Sequence, residues 1–123
     1  MRKELEGKLV RRWPSWFDMN GDPRHTLMSF GFQHRDGWFG LLWRLCERLE
    51  PLVAECERET GERFEVIEVK QKLGGLRFHT SHRTKAIRKC IEAAQAESFD
   101  TCEICGLVGK SLETPSTGHR ITC

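Results

Sequence analysis

The stretch from Asp36 to Gly61, DGWFGLLWRLCERLEPLVAECERETG, constrains the fold of this chain more than any other. Its apolar residues Trp38, Leu41, Leu42, Leu45, Leu49, Leu52 and Val53 recur at three- and four-residue intervals. They therefore fall along one face of an α-helix, and that face has to be buried against something. Asp36 reads as the N-cap, because a carboxylate there accepts from the free N–H groups of the first turn. Pro51 lacks an amide hydrogen and clashes with the carbonyl of Glu47, which predicts a kink or the start of a second helix. Gly61 reads as the C-terminal stop.

Beyond Gly61 the period changes. FEVIEVKQKLGGLRFHT holds β-branched and aromatic residues around Gly74-Gly75, a strong hairpin signal because two-residue turns need positive φ. A turn centred on the two glycines pairs Lys72 with Arg77 and Lys70 with His79. One face then carries Ile67, Val69, Leu73, Leu76 and Phe78, and the other carries Lys70, Lys72, Arg77 and His79. Phe64 and Val66 fall on the basic side, so that end needs a bulge or a cover on both faces. Two further helices are expected. The first, in KELEGKLVRRWPSWF, has a stripe of Leu5, Leu9 and Val10 ended by Pro14. The other, in RTKAIRKCIEAAQAESF, has a stripe of Ala86, Ile87, Cys90, Ile91 and Ala94. Residues 18–27 read as a loop, TLMSFGFQ as a short extended segment, and 106–118 as loop-like. The expected architecture is α+β: helices packed on a β-hairpin or small antiparallel sheet, with a C-terminal zinc knuckle. Residues 1–100 form the core domain, and 101–123 a zinc-binding tail packed on it.

A chain of 123 residues can bury a core without disulfides. No apolar run approaches the ~20 residues that span a bilayer, and MRKELEGKLV has no apolar h-region, so neither a membrane anchor nor a signal peptide is expected. Of the six cysteines, Cys46, Cys56 and Cys90 lie in helical stretches and the other three cluster at the end. That distribution fits a reducing, cytoplasmic setting with buried thiols and one metal cluster.

The tail, TCEICGLVGKSLETPSTGHRITC, spaces Cys102, Cys105, His119 and Cys123 as C-x2-C, thirteen residues, then H-x3-C. Two thiolates so spaced bind one tetrahedral zinc from a tight knuckle, and Gly106 follows where the turn favours positive φ. The intervening loop has few apolar residues, and zinc, worth about 10–16 kcal/mol in finger peptides, would order it. Four protein ligands make such a zinc structural rather than hydrolytic. A redox C-x-x-C would expect a thioredoxin-like βαβ setting, which the pattern lacks, and a metal-free tail is the other alternative.

Net charge is +2, but its distribution is uneven. Acids dominate from Glu47 to Glu68, while the block from Lys70 to Lys89 contains lysine and arginine and no acid. The basic hairpin face continues into His82, Arg83, Lys85, Arg88 and Lys89, and a cationic ribbon of this kind lies well along a phosphate backbone. A plainer alternative is a solvated face, or one neutralised by the acidic segment. Asp36 and Trp38 read as a cap and a packing residue rather than as catalytic groups. Trp13 and Trp16 flank Pro14 and suit either the core or a partner contact. No clustered acid or histidine set marks a catalytic centre, so binding rather than catalysis is expected, without a small-molecule substrate.

The motifs FGFQHRDGWFGLLWRLCERLEP, FEVIEVKQKLGGLRFH and TCEICG together resemble a group of small uncharacterised proteins of phages and prophages. The pattern of that group is Phe-x-Cys-x-Asp-Gly-Trp, a helix, a Val-Lys-x-Lys-x-Gly-Gly-Leu-Arg-Phe hairpin and Cys-x-x-Cys-Gly. The resemblance covers about residues 30–123, and it implies a context rather than a chemistry. His34 stands where the pattern has Cys. The pattern also continues past the third tail cysteine to a final His or Cys, so the fourth ligand is either His119 or a residue beyond Cys123. The expectation is a phage-type accessory protein of the host cytoplasm that binds nucleic acid through the basic hairpin face. The alternative is an inhibitor or adaptor that binds a host protein, such as a nucleic-acid or defence enzyme, through the same face.

Overall fold

Helix α1, Lys3–Arg12, places Glu4 and Glu6 in its first turn and Arg11 and Arg12 in its last, the arrangement that suits the helix dipole. It appears in a computed structural model that describes residues 1–107 with their side chains and the backbone of 111–114 and 118–121. Leu9 buries the inner face of α1. The helix stops before Pro14, and the chain then turns Trp13 and Trp16 inward. Both indoles are buried and stacked 5.8 Å apart, with Trp43 edge-on to Trp13. The Trp13 indole donates to Glu50 at 2.8 Å. The two tryptophans are core residues.

Helix α2 runs unbroken from Phe39 to Thr60. Pro51 neither ends it nor restarts it. The proline sits on the exposed side, where water can satisfy the carbonyl it leaves without a partner. Gly61 closes the helix at φ 69°, its N–H reaching the Glu57 carbonyl at 2.9 Å. The expected Asp36 cap is not formed. Asp36–Trp38 is a turn of 3-10 helix, so α2 begins beyond the reach of that carboxylate. Asp36 instead accepts from the Arg2 backbone N–H at 2.8 Å and pairs with the Arg2 side chain at 2.8 Å, at the entrance of α1.

Strands β1, Val66–Lys72, and β2, Gly75–Thr80, form the antiparallel hairpin. The turn lies one residue earlier than expected, on Leu73-Gly74, because both of these residues adopt positive φ and Gly75 does not. Lys70 therefore faces Arg77, and Lys72 faces Gly75. The pairing slides by two residues, an even number, so the faces survive except at the tip, where Leu73, expected on the apolar face, falls in the turn and is exposed. Val69, Leu76 and Phe78 are buried, while Lys72 and Arg77 lie outside. A bulge between Val66 and Glu68 resets the far end and lets Val66 into the core. The other edge of β1 is covered. Residues 28–30 form a 3-10 turn where an extended segment was expected, and Gln33 then bridges Lys70 in parallel.

Helix α3, Lys85–Ser98, is capped by the Thr84 hydroxyl, which accepts from the Ile87 N–H at 3.2 Å. Ile87, Ile91 and Ala94 pack it against α2 and β2, whereas Ala86 is exposed. The core thus lies between the hairpin and the helices. In the tail, β3, Ser111–Thr114, lies within the stretch expected to be loop-like, and β4, Gly118–Ile121, begins at its last residue; the two pair antiparallel as a sheet of their own. Each is four residues long and mostly polar, too short a run for hydropathy to mark as a strand. No helix among the described residues is long and apolar enough to cross a membrane.

Candidate functional site

Four of the expected cations converge. Lys72 at the hairpin turn, Arg77 on β2, Arg83 before α3 and Arg88 on its first turns line one groove of about 400 Å³ between β2 and α3. Its apolar lining comes from Leu76, Phe78, Ile91 and Phe99. Packing against Phe99 accounts for the second glycine of the turn: a Cβ on Gly75 would lie 2.5 Å from that ring. Among the described residues Lys72 makes no ion pair, and Arg83 donates to the Phe78 carbonyl at 3.3 Å. Arg88 is loosely paired with Glu92, at 3.8 Å. Arg77 donates to Glu68 at 2.7 Å.

The remaining cations are placed elsewhere. Lys70 lies 3.6 Å from Glu68, so this acid sits between two of the expected contacts. Burial alone would raise the Glu68 carboxyl, but the Arg77 hydrogen bond and the Lys70 charge outweigh it and hold the group below the usual carboxylate range. His79 is half-buried. Desolvation, then the charges of Arg83 and Arg77, push it below its ordinary value, so it adds no positive charge at neutral pH. His82 turns to Glu62 at 3.3 Å. Lys85 lies beside Glu55 and Glu59 of α2, away from the groove, as part of the lining of a smaller cavity. Lys89 is exposed on α3. The sequence reading missed Leu73, Ile91 and Phe99, which also line the groove. Their signal lay in the Leu-Gly-Gly turn and the apolar stripe of α3.

Thr101 and Glu103, at the start of the tail, dock on the Asp-Gly-Trp turn. The Gly37 N–H donates to the Glu103 carbonyl at 2.6 Å, the Arg35 N–H to the Glu103 carboxylate at 3.0 Å, and the Trp38 indole to the Thr101 carbonyl at 3.0 Å. Trp38 is thus bonded to the start of the tail. The backbone doubles back between Cys102 and Leu107. The Cys102 N–H meets the Leu107 carbonyl and the Gly106 N–H meets the Cys102 carbonyl, both at 2.8 Å, with Gly106 at φ 80° as expected. Cys102 is buried and Cys105 exposed. His119 lies on β4, where its backbone alone is described, and Cys123 lies outside the described residues. Among the described residues no group of three His, Cys, Asp or Glu is placed to hold a metal.

His34 is buried between Phe32 and Trp38. Its Nδ1 bonds the Arg35 carbonyl at 2.8 Å, and its buried Nε2 has no partner among the described residues. Burial pushes its pKa down to about 4, which keeps the ring neutral. Burial also raises the Cys46 thiol, assisted by Cys90.

No protein-family model, curated protein or solved structure matches the chain.

Proposed function

We propose that this chain is a non-enzymatic, phage-type accessory protein that binds nucleic acid through the cationic groove between β2 and α3, in the cytoplasm of a host cell. The supporting observation is the convergence of Lys72, Arg77, Arg83 and Arg88, from the hairpin and the start of α3, on one concave surface. Glu68 and Glu92 offset Arg77 and Arg88 in the free protein, and Lys72 and Arg83 are left to attract an anion into the groove. Each phosphate they neutralise releases counterions. Four contacts on a single strand give a log–log salt slope of magnitude about 3. Fluorescence anisotropy with a labelled oligonucleotide, titrated with salt, measures that slope. The double reversal Lys72→Glu with Arg83→Glu should abolish binding. It is the better choice because Arg77 is also tied to Glu68 within the fold. Absence of binding at low salt removes the reading.

A second reading, an inhibitor or adaptor that takes a host protein on the same face, draws on the exposed leucine at the hairpin tip, Leu73. It is separated by nuclease treatment, which would leave that complex intact.

In the tail, structural Zn²⁺ is proposed to be held by Cys102 and Cys105 with His119 and Cys123. The doubled-back loop with Gly106 at positive φ fits a knuckle of this type. Oxidation of Cys105 to a disulfide would compete for the same sulfur. Native mass spectrometry of the reduced chain with added zinc should show one ion per chain, lost in Cys105→Ser. A chain that stays metal-free and forms such a disulfide would contradict it.

A further inference from the structure

The hairpin turn contains a residue that the fold does not explain. Leu73 lies at φ 53° and Gly74 at φ 87°. Turns with positive φ at both central positions favour Asn, Asp or Gly, because a Cβ crowds the backbone there and a short polar side chain at least bonds locally. Leucine has neither property. Its side chain gains little burial in compensation, being 70% exposed. Backbone strain of this kind persists where surroundings or function demand the residue. Packing against Phe99 accounts for Gly75, but no comparable contact accounts for Leu73. Leu73 stands next to Lys72 in the chain and lines the same groove as Arg77, Arg83 and Arg88.

On the basis of the nucleic-acid reading above, we propose that Leu73 is the base-contacting wedge of a single-strand site. It packs against an unpaired base while the four cations hold the flanking phosphates. The groove joins two kinds of surface, a set of positive charges and an accessible apolar edge made by Leu73 and the half-buried Phe99, over a floor of the core residues Leu76, Phe78 and Ile91. A duplex presents phosphates but keeps the faces of its bases stacked on one another, so it leaves that apolar surface wet. An unpaired strand offers a charged backbone and free base faces together, the combination that single-strand sites use. Glu92 is the one acid in this lining, and its partner Arg88 offsets it.

The test compares wild type with L73N on three labelled probes: an oligothymidine, an abasic strand of the same length, and a duplex. Wild type should bind the oligothymidine about tenfold more tightly than the abasic strand, as covering the exposed Leu73 side chain with one base predicts. L73N should lose about that factor on the oligothymidine, leave the abasic strand unchanged, keep the salt slope, and melt at a higher temperature than wild type. L73G, which suits positive φ equally, repeats the comparison if L73N folds poorly. Oligothymidine binding unchanged in both variants overturns the wedge while the phosphate reading stands. A duplex bound as tightly as the oligothymidine overturns it too. Failure of all three probes at low salt removes the nucleic-acid reading itself, and the wedge with it.

Discussion

Replacing Gly37 by alanine should detach the tail from the body. The added Cβ would lie 2.2 Å from the Cys102 carbonyl oxygen and 2.5 Å from the Glu103 carbonyl carbon and oxygen. All three are backbone atoms, so no side-chain rotation relieves the clash. Restoring ordinary contact near 3.4 Å requires the tail to retreat by about 1.2 Å. That stretches the 2.6 Å bond from the Gly37 N–H to the Glu103 carbonyl beyond hydrogen-bonding range. The bonds from the Arg35 N–H and the Trp38 indole share the same docked segment and are lost with it. Three bonds at about 1 kcal/mol each give a loss of about 3 kcal/mol. Chemical denaturation measures the loss, and limited proteolysis near residues 102–107 shows whether it is local. Gly40→Ala is the control, because its Cβ would meet just the end of the flexible Arg44 side chain, at 3.4 Å. This exposed helical site should gain about 0.5–1 kcal/mol. A Gly37→Ala protein within about 0.5 kcal/mol of wild type, with its tail still protected, would refute the docking described here.

Two further predictions concern pH. His34 is neutral in the fold with a pKa of about 4 against 6.5 unfolded. The unfolded chain therefore binds more protons between those values, and stability falls as pH drops through that window, by about 3 kcal/mol in full. His34→Phe should flatten the denaturation-midpoint profile there, and an unchanged slope would refute the assignment. The folded-state pKa of Glu68 is depressed, so its contribution is present above the unfolded carboxyl pKa of 4.5 and is lost as pH falls through the folded value. Glu68→Gln should show less acid sensitivity below that pH in thermal melts, together with lower stability near neutrality.

The long helix was legible because seven apolar residues keep one face over four turns, a pattern that Pro51 did not interrupt. The faces of the hairpin were also legible, even though its turn was misplaced. A slide of two residues preserves inside and outside, and the burial of Val69 and Phe78 depends on that parity alone. Asp36 was misread because a capping pattern names the nearest helix, whereas the donor it captures is the Arg2 N–H, thirty-four residues away. The same limit hid the role of Gly37. Its lack of a side chain matters because of the backbone of Cys102 and Glu103, which local pattern cannot bring near. The groove was half legible. The basic residues were visible as a run, but their division into those around the groove and those beside Glu55, Glu62 and Glu68 depends on where α3 sits against β2.

The central claim is that one groove, between β2 and α3, receives the strand. Backbone amide shifts recorded as an unlabelled oligothymidine is added to the isotopically labelled chain test it directly. The largest shifts should fall on residues 72–78 and 83–95, with α2 unaffected on its acidic outer face. Shifts centred on α1 or α2, or no shifts at low salt, would contradict it.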